Sequence, residues 1–159
     1  MASAESSGAA DIRLVPFAVD MADELISVWR ESFNSALAPY RMEPTQEEHK
    51  RFLLEQLVHK TTLTVAMATH SVAGFMAQAG EEVEQLYIAN EYQDRGLGGR
   101  FINLAREASP KRLHLFTFQR NLKARRFYQH HGFREIGYGY RNMEGLADVE
   151  MEWHSSGLR

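Results

Sequence analysis

The chain of 159 residues contains no cysteine. That excludes disulfide scaffolds, thiolate metal sites and a cysteine acyl-enzyme, so any acyl transfer must use another nucleophile or be direct. No apolar run approaches the ~20 residues that span a bilayer. The opening stretch, Met1 to Ala10, lacks both the basic start and the apolar core of a secretory signal. It reads as a small-residue disordered leader before a single domain at 11–159, and the expected location is cytoplasmic. No internal repeat, linker or further low-complexity segment interrupts the chain. The histidines, His49, His59, His70, His114, His130, His131 and His154, form no ligand pair of recognised motif spacing, so no metal is expected.

What is present is ordinary in amount and uneven in placement. A hydrophobic share of 44% and a charged share of 25% suit a globular protein with a proper core. The formal charge of −3 conceals a division: residues 93–126 hold nine Lys/Arg against two Asp/Glu, while the rest holds nine against nineteen. One segment is therefore +7 and the remainder −10. An anion suits the first region and a cation the rest. The acidic total and the lack of an aromatic-basic surface motif argue against nucleic acid as a partner.

Hydrophobic periodicity predicts the elements. Ile12 to Phe17 reads as a strand, with Pro16 favouring a sheet edge. Asp20 is placed to cap a helix whose Ala22, Leu25, Ile26, Trp29 and Phe33 recur at helical spacing. Thr45 and Glu48 form a capping box ahead of a second helix, to about Val58. Thr61 to Ala68 and Val72 to Gln78 suit a hairpin across Thr69-His70-Ser71, and Val83 to Ile88 is a third β-prone run. A glycine-rich turn follows, then a helix carrying Leu97, Phe101, Leu104, Ala105 and Ala108 on one face, then a strand from Leu113 to Phe118. Asn121 to His131 is a short helix with Ala124, Phe127, Tyr128 and His131 in one stripe, and Gly132 sits where a left-handed cap belongs. Strands at about Phe133 to Tyr140 and Asp148 to Trp153 close the chain.

The turn Gln93-Asp94-Arg95-Gly96-Leu97-Gly98-Gly99-Arg100 joins a strand to a helix, so backbone N–H groups gather at a helix N-terminus. Gly96, Gly98 and Gly99 allow close approach of phosphate oxygens, with Arg95 and Arg100 beside them. Taken alone, a turn of this kind is more often just a tight turn than a ligand loop. The P-loop ending Gly-Lys-Ser/Thr is absent, and the glycine spacing is not that of the dinucleotide fingerprint.

The full stretch Leu86-Tyr87-Ile88-Ala89-Asn90-Glu91-Tyr92 followed by that turn and Phe101 resembles the acetyl-CoA motif of the GNAT acetyltransferase superfamily. Asn121-Leu122-Lys123-Ala124-Arg125-Arg126-Phe127-Tyr128-Gln129-His130-His131-Gly132-Phe133 is similar to the second half of that family's cofactor site. Gln93 stands where arginine is also common in the family, and Asn90 where proline is frequent. The resemblance implies a mixed α/β fold: a mostly antiparallel sheet of about six to seven strands with one splayed parallel pair, flanked by about four helices. It implies direct transfer of acetyl from acetyl-CoA to a primary amine, without a metal; the acidic balance outside 93–126 points to a small cationic acceptor. The alternative is a CoA-binding domain that has lost turnover. A homodimer through the closing strands is a further implication.

The resemblance also implies residue roles. Backbone groups of Leu86, Tyr87 and Ile88 meet the pantetheine arm, Gln93 to Arg100 hold the pyrophosphate, and Asn121 contacts the arm while also suiting a helix cap. Tyr128 contacts the cofactor and is the general acid for the departing sulfur, against a reading of Phe127 and Tyr128 as mere core aromatics. Glu82 is the first candidate for the base and Glu84 the second: both share the alternation parity of Leu86 unless a bulge shifts the register, and both also read as a solvated strand start. Arg120, Lys123, Arg125 and Arg126 are alternatives for the ribose phosphate.

Overall fold

A computed structural model describes residues 11–156, so the leader at 1–10 lies outside the described residues. The expected mixed α/β fold is present. Seven strands form one sheet in the order β1-β2-β3-β4-β5-β7-β6, comprising β1 (Ile12–Pro16), β2 (Thr62–Ala68), β3 (Ser71–Ala79), β4 (Glu82–Ile88), β5 (Arg112–Phe118), β6 (Arg134–Gly139) and β7 (Asp148–His154). Every neighbouring pair is antiparallel except β4 and β5. Pro16 ends β1 at the sheet edge, where its missing N–H costs no ladder bond.

Helices cover both faces. Against one face lie α4 (Leu97–Ala108) and α5 (Leu122–His130), whose Phe101, Ile102, Ala105 and Tyr128 pack with Met76, Leu113, Leu115 and Met151. Ala108, expected on the buried stripe of α4, is exposed, and Ile102 takes that place. Against the other face, α1 (Ala22–Ala36) buries Leu25, Ile26, Trp29 and Phe33 on Val65, Phe75 and Ala77. Asp20 does not cap α1: a 3-10 turn at Val19–Met21 precedes the helix, and Met21 is its cap without a side-chain bond.

The expected capping box forms, with Glu48 N–H on Thr45 Oγ1 at 3.1 Å and Thr45 N–H on Glu48 Oε1 at 2.8 Å. It opens α2 (Gln46–Phe52), which continues through a π-turn at Leu53–Leu57 into α3 (Val58–Lys60), so helical backbone extends two residues past Val58. The π-turn keeps both Leu53 and Leu57 on the buried side. The β2–β3 hairpin turns on Thr69 and His70, with Thr69 at φ 57°, and Ser71 already belongs to β3.

Candidate active site

The parallel pair β4/β5 is joined at its start only. Glu82 pairs with His114, and His114 N–H donates to Glu81 O at 2.8 Å. Beyond that point the strands part. Ala89 N–H donates to Ala73 O at 2.8 Å, so the peptide groups of residues 87 and 89 face β3. Alternation then aims those of Leu86 and Ile88 into the gap left by β5. The Ile88 carbonyl already accepts from Ser32 Oγ at 2.8 Å and from Gln93 Nε2 at 3.1 Å. The Leu86 groups and the Ile88 N–H remain for a ligand. Tyr87 does not share this backbone role, because its peptide faces β3; its ring stacks at 5.9 Å on both Trp29 and Phe75.

The gap opens into a cleft of about 1120 Å³. Leu86 and Ile88 line one side, α5 residues Asn121, Lys123, Ala124, Arg126, Phe127 and Tyr128 another, and Gln93, Asp94, Gly96, Gly98, Gly99 and Arg100 its far end. Two side chains of the turn point elsewhere. Arg95 turns outward, its guanidinium 5.4 Å from the Tyr92 ring, and Leu97 is a core side chain.

Gly96 caps α4 in the left-handed region, φ 83°, with no side-chain cap. The first helical bond runs from Arg100 N–H to Gly96 O at 3.2 Å. The N–H groups of Leu97, Gly98 and Gly99 therefore have no partner within the helix, and they present the positive end of its dipole to the cleft. Asp94 also has positive φ, 65°. Lys123 holds this turn to α5 by donating to Gln93 Oε1 at 2.9 Å and Asp94 Oδ2 at 3.0 Å.

Gly98 and Gly99 have a second reason to be glycine, which the spacing alone does not disclose. A Cβ on Gly98 would lie 2.8 Å from Phe127 Cζ, and one on Gly99 3.1 Å from His131 Cε1. The missing side chains let α5 lie against α4. His131 packs on Phe127 at 4.6 Å, whereas His130 is exposed.

Asn121 caps α5, its Oδ1 accepting from Ala124 N–H at 3.1 Å. Tyr128, two turns later, is buried beside Phe133 and Phe127 and reaches the cleft. Burial pushes its phenol pKa well above the usual tyrosine value, so the proton stays on oxygen at neutral pH. Among the basic candidates, Arg125 is bound to Glu135 at 2.7 and 3.0 Å, and Arg120 donates to Ala38 O at 3.4 Å. Arg126 is exposed and lines the cleft, as do Asn103 and His130.

The parity expected of Glu82 and Glu84 is overturned. The register slips between Ala77 and Gln78: Gln85 faces Ala77 and Val83 faces Gln78, leaving Glu84 as the extra residue of a bulge. Val83 thereby joins Leu86 and Ile88 in one core. Glu82 stays at the paired end of β4 and lines neither the cleft nor the smaller hollow beside it. Glu84 lines that hollow, which lies between the strands, and burial, then the charge of Glu82, pushes its carboxyl above its ordinary pKa against the weaker opposing charge of Lys60.

Residues 18–155 match the family described as acetyltransferase (GNAT) domain. The chain belongs to the GNAT acetyltransferase family. Solved structures share the fold. An acetyltransferase from Thermus thermophilus is 21% identical with a TM-score of 0.73, covering 90% of this chain and 96% of its own. PaiA N-acetyltransferase from Thermoplasma acidophilum, in complex with coenzyme A, is 20% identical with a TM-score of 0.69, covering 90% and 98%. YncA from Salmonella typhimurium, with its cofactor acetyl-CoA, is 13% identical with a TM-score of 0.65, covering 91% and 94%. A comparison with curated proteins found no match. Among the described residues of this GNAT chain, no helix is long and apolar enough to cross a membrane, and no group of three His, Asp or Glu side chains is placed to hold a metal.

Sequence reasoning misses Ser32. A serine on the apolar stripe of α1, one residue before Phe33, is the available signal: buried hydroxyls need an acceptor, and here it is the Ile88 carbonyl. Phe127 is legible in sequence as a stripe residue; its part in fixing Gly98 emerges only from the packing of two helices.

Proposed function

We propose that residues 11–159 form one N-acetyltransferase domain, which moves acetyl from acetyl-CoA directly to a primary amine of a small cationic acceptor. The observation that carries this reading is one cleft joining three features. They are the unpaired Leu86 groups and Ile88 N–H, the free N–H groups at the start of α4, and the protonated phenol of Tyr128. The first would pair with the amides of a pantetheine arm, and the second would hold a pyrophosphate. Bound acetyl-CoA supplies the thioester that reacts.

The chain's own groups account for the protons. An amine arrives charged and must lose a proton before its nitrogen can attack; Glu84, held by desolvation above the ordinary carboxyl range, has a driving force closer to that task than a solvated glutamate. Glu82, first choice from sequence, lies at the closed end of the strand pair. Tyr128 keeps its proton until sulfur departs and gives it there. The Ile88 N–H and Leu86 groups orient the arm so that the thioester lies beside this phenol.

The test couples binding to turnover. Acetyl-CoA and CoA at 100 times Kd are expected to raise the unfolding midpoint by about 5–10 °C, with ATP as control. Thiol release from acetyl-CoA is then followed with a panel of amines. Absence of a midpoint rise refutes the cofactor; a rise without amine-dependent thiol release refutes the transferase and leaves a CoA-binding domain.

A further inference from the structure

The smaller hollow between β4 and β5, about 70 Å³, shares Ala36, Leu86, Tyr87, Asn121, Ala124 and Tyr128 with the large cleft. The two spaces therefore adjoin, with Tyr128 on the wall common to both. The hollow touches no residue of the glycine turn and extends toward Val83, Glu84 and Gln85. Its walls are aromatic. Phe116 and Phe118 alternate onto the α1 side of β5, and Phe118 meets Phe33 edge to face at 5.8 Å. Phe33 in turn lies 6.0 Å from Tyr40.

Set into this wall, Glu84 is half-buried and has no ion pair or hydrogen bond among the described residues. A desolvated carboxylate without a partner is costly, and an ammonium ion supplies the missing charge. Ring faces attract the same cation; Arg141 already holds its guanidinium 4.8 Å from the Phe116 ring, so that attraction falls to Phe33 and Phe118. The size is limiting as well: at about 10–15 Å³ per water-sized group, about 70 Å³ admits roughly five to seven such groups.

We infer that the acceptor is an unbranched aminoalkyl group, entering as its ammonium form between Phe33, Phe116 and Phe118 with its charge on Glu84. The inference rests on the acetyl-transfer reading above. The ammonium gives one proton to Glu84 and onward to water, and the free nitrogen forms the C–N bond as the thioester C–S bond breaks. The second nitrogen proton replaces the one that Tyr128 delivers to sulfur. An amide, a thiol and one released proton result. A branch on the carbon bearing nitrogen would meet the ring walls.

The test compares n-butylamine with its isomer sec-butylamine at saturating acetyl-CoA, in the unaltered protein, Phe116→Ala and Glu84→Gln. CoA-dependent thermal stabilisation is measured on each. The straight isomer is expected to have at least about tenfold higher kcat/KM, as for one misplaced methyl group in a fitted pocket. Phe116 is a surface side chain, 37% exposed, and its truncation should narrow that ratio by admitting the branched isomer. Glu84→Gln should raise KM and lower kcat for both amines while CoA stabilisation is retained. Equal or reversed preference, or an unchanged KM in Glu84→Gln, with CoA stabilisation intact, overturns this inference and leaves acetyl transfer standing. If CoA fails to stabilise the unaltered protein, the transfer reading fails and the inference falls with it.

Discussion

Replacing Gly98 by alanine tests whether the glycine turn is shaped by packing as well as by phosphate. The added methyl would lie 2.8 Å from Phe127 Cζ and 2.9 Å from Cε1, closer than carbon atoms tolerate. Overpacking of this kind costs about 1–3 kcal/mol. Against it stands the gain of about 0.5–1 kcal/mol when alanine replaces glycine within a helix. The net loss is then up to about 2.5 kcal/mol, a fall in midpoint of up to roughly 10 °C for a chain of this size. Trimming the obstructing ring should reverse the sign: in a Phe127→Leu background the same Gly98→Ala change gains the helical term without the clash. Urea unfolding of the four proteins in this cycle reads the coupling directly, expected above about 0.5 kcal/mol. If Gly98→Ala stabilises the unaltered protein, or has the same effect in both backgrounds, the packing argument is wrong.

Three other outcomes follow from the geometry. Tyr128→Phe should lower kcat by about 10²–10⁴-fold with CoA affinity unchanged, measured by thiol release and by calorimetry; an unaltered kcat would remove the phenol from the mechanism. Arg126→Ala should weaken CoA more than dephospho-CoA, since Arg126 stands exposed on the cleft wall while Arg125 is bound to Glu135; equal weakening of both ligands would assign the phosphate contact elsewhere. His49 is buried, and burial followed by the charge of Arg30 lowers its pKa from 6.5 to about 4. A depressed value means that stability is full above pH 6.5 and falls as the pH drops through about 4, by up to about 3 kcal/mol; His49→Gln should flatten that limb of the stability profile, and an unchanged limb would place the titration at another group.

Legibility in the sequence follows the range of the interaction. The Thr45–Glu48 capping box, the Asn121 cap and the left-handed Gly132 depend on residues a few positions apart, and each is readable. The glycine turn and Tyr128 are readable through their arrangement in two ordered motifs. Contacts between distant segments are not. Arg125 suits a phosphate ligand until Glu135 on the next strand claims it, and Lys123 until Gln93 and Asp94 do. Two misses are local instead: Arg95 suits a wall of the site, yet Tyr92, three residues earlier, offers its ring face. Asp20 fails as a cap because the chain enters α1 through a 3-10 turn, which satisfies the first peptide groups without a side chain. The parity of Glu82 and Glu84 depends on a bulge set by pairing with β3, and a single strand read alone carries no record of its partner's register.

That bulge and the parting of the strands combine to make the cleft. A regular β4 would continue pairing with β5 past Glu82 and satisfy the Leu86 and Ile88 peptides within the sheet, leaving no edge for a ligand. The extra residue at Glu84 increases the local twist just where the parallel pair ends, and it places a carboxyl between the diverging strands. The ladder groups released downstream remain hydrogen-bonding groups in need of partners, and water or a ligand's amides must supply them. Ser32 satisfies one of them at the Ile88 carbonyl and so anchors α1 across the gap without closing it. The same irregularity thus withholds sheet bonds from β4 and sets a desolvated acid near the phenol of Tyr128. Restoring regular pairing by deleting Glu84 would therefore remove the open edge and the acid together, and no substitution at position 84 alone can do both.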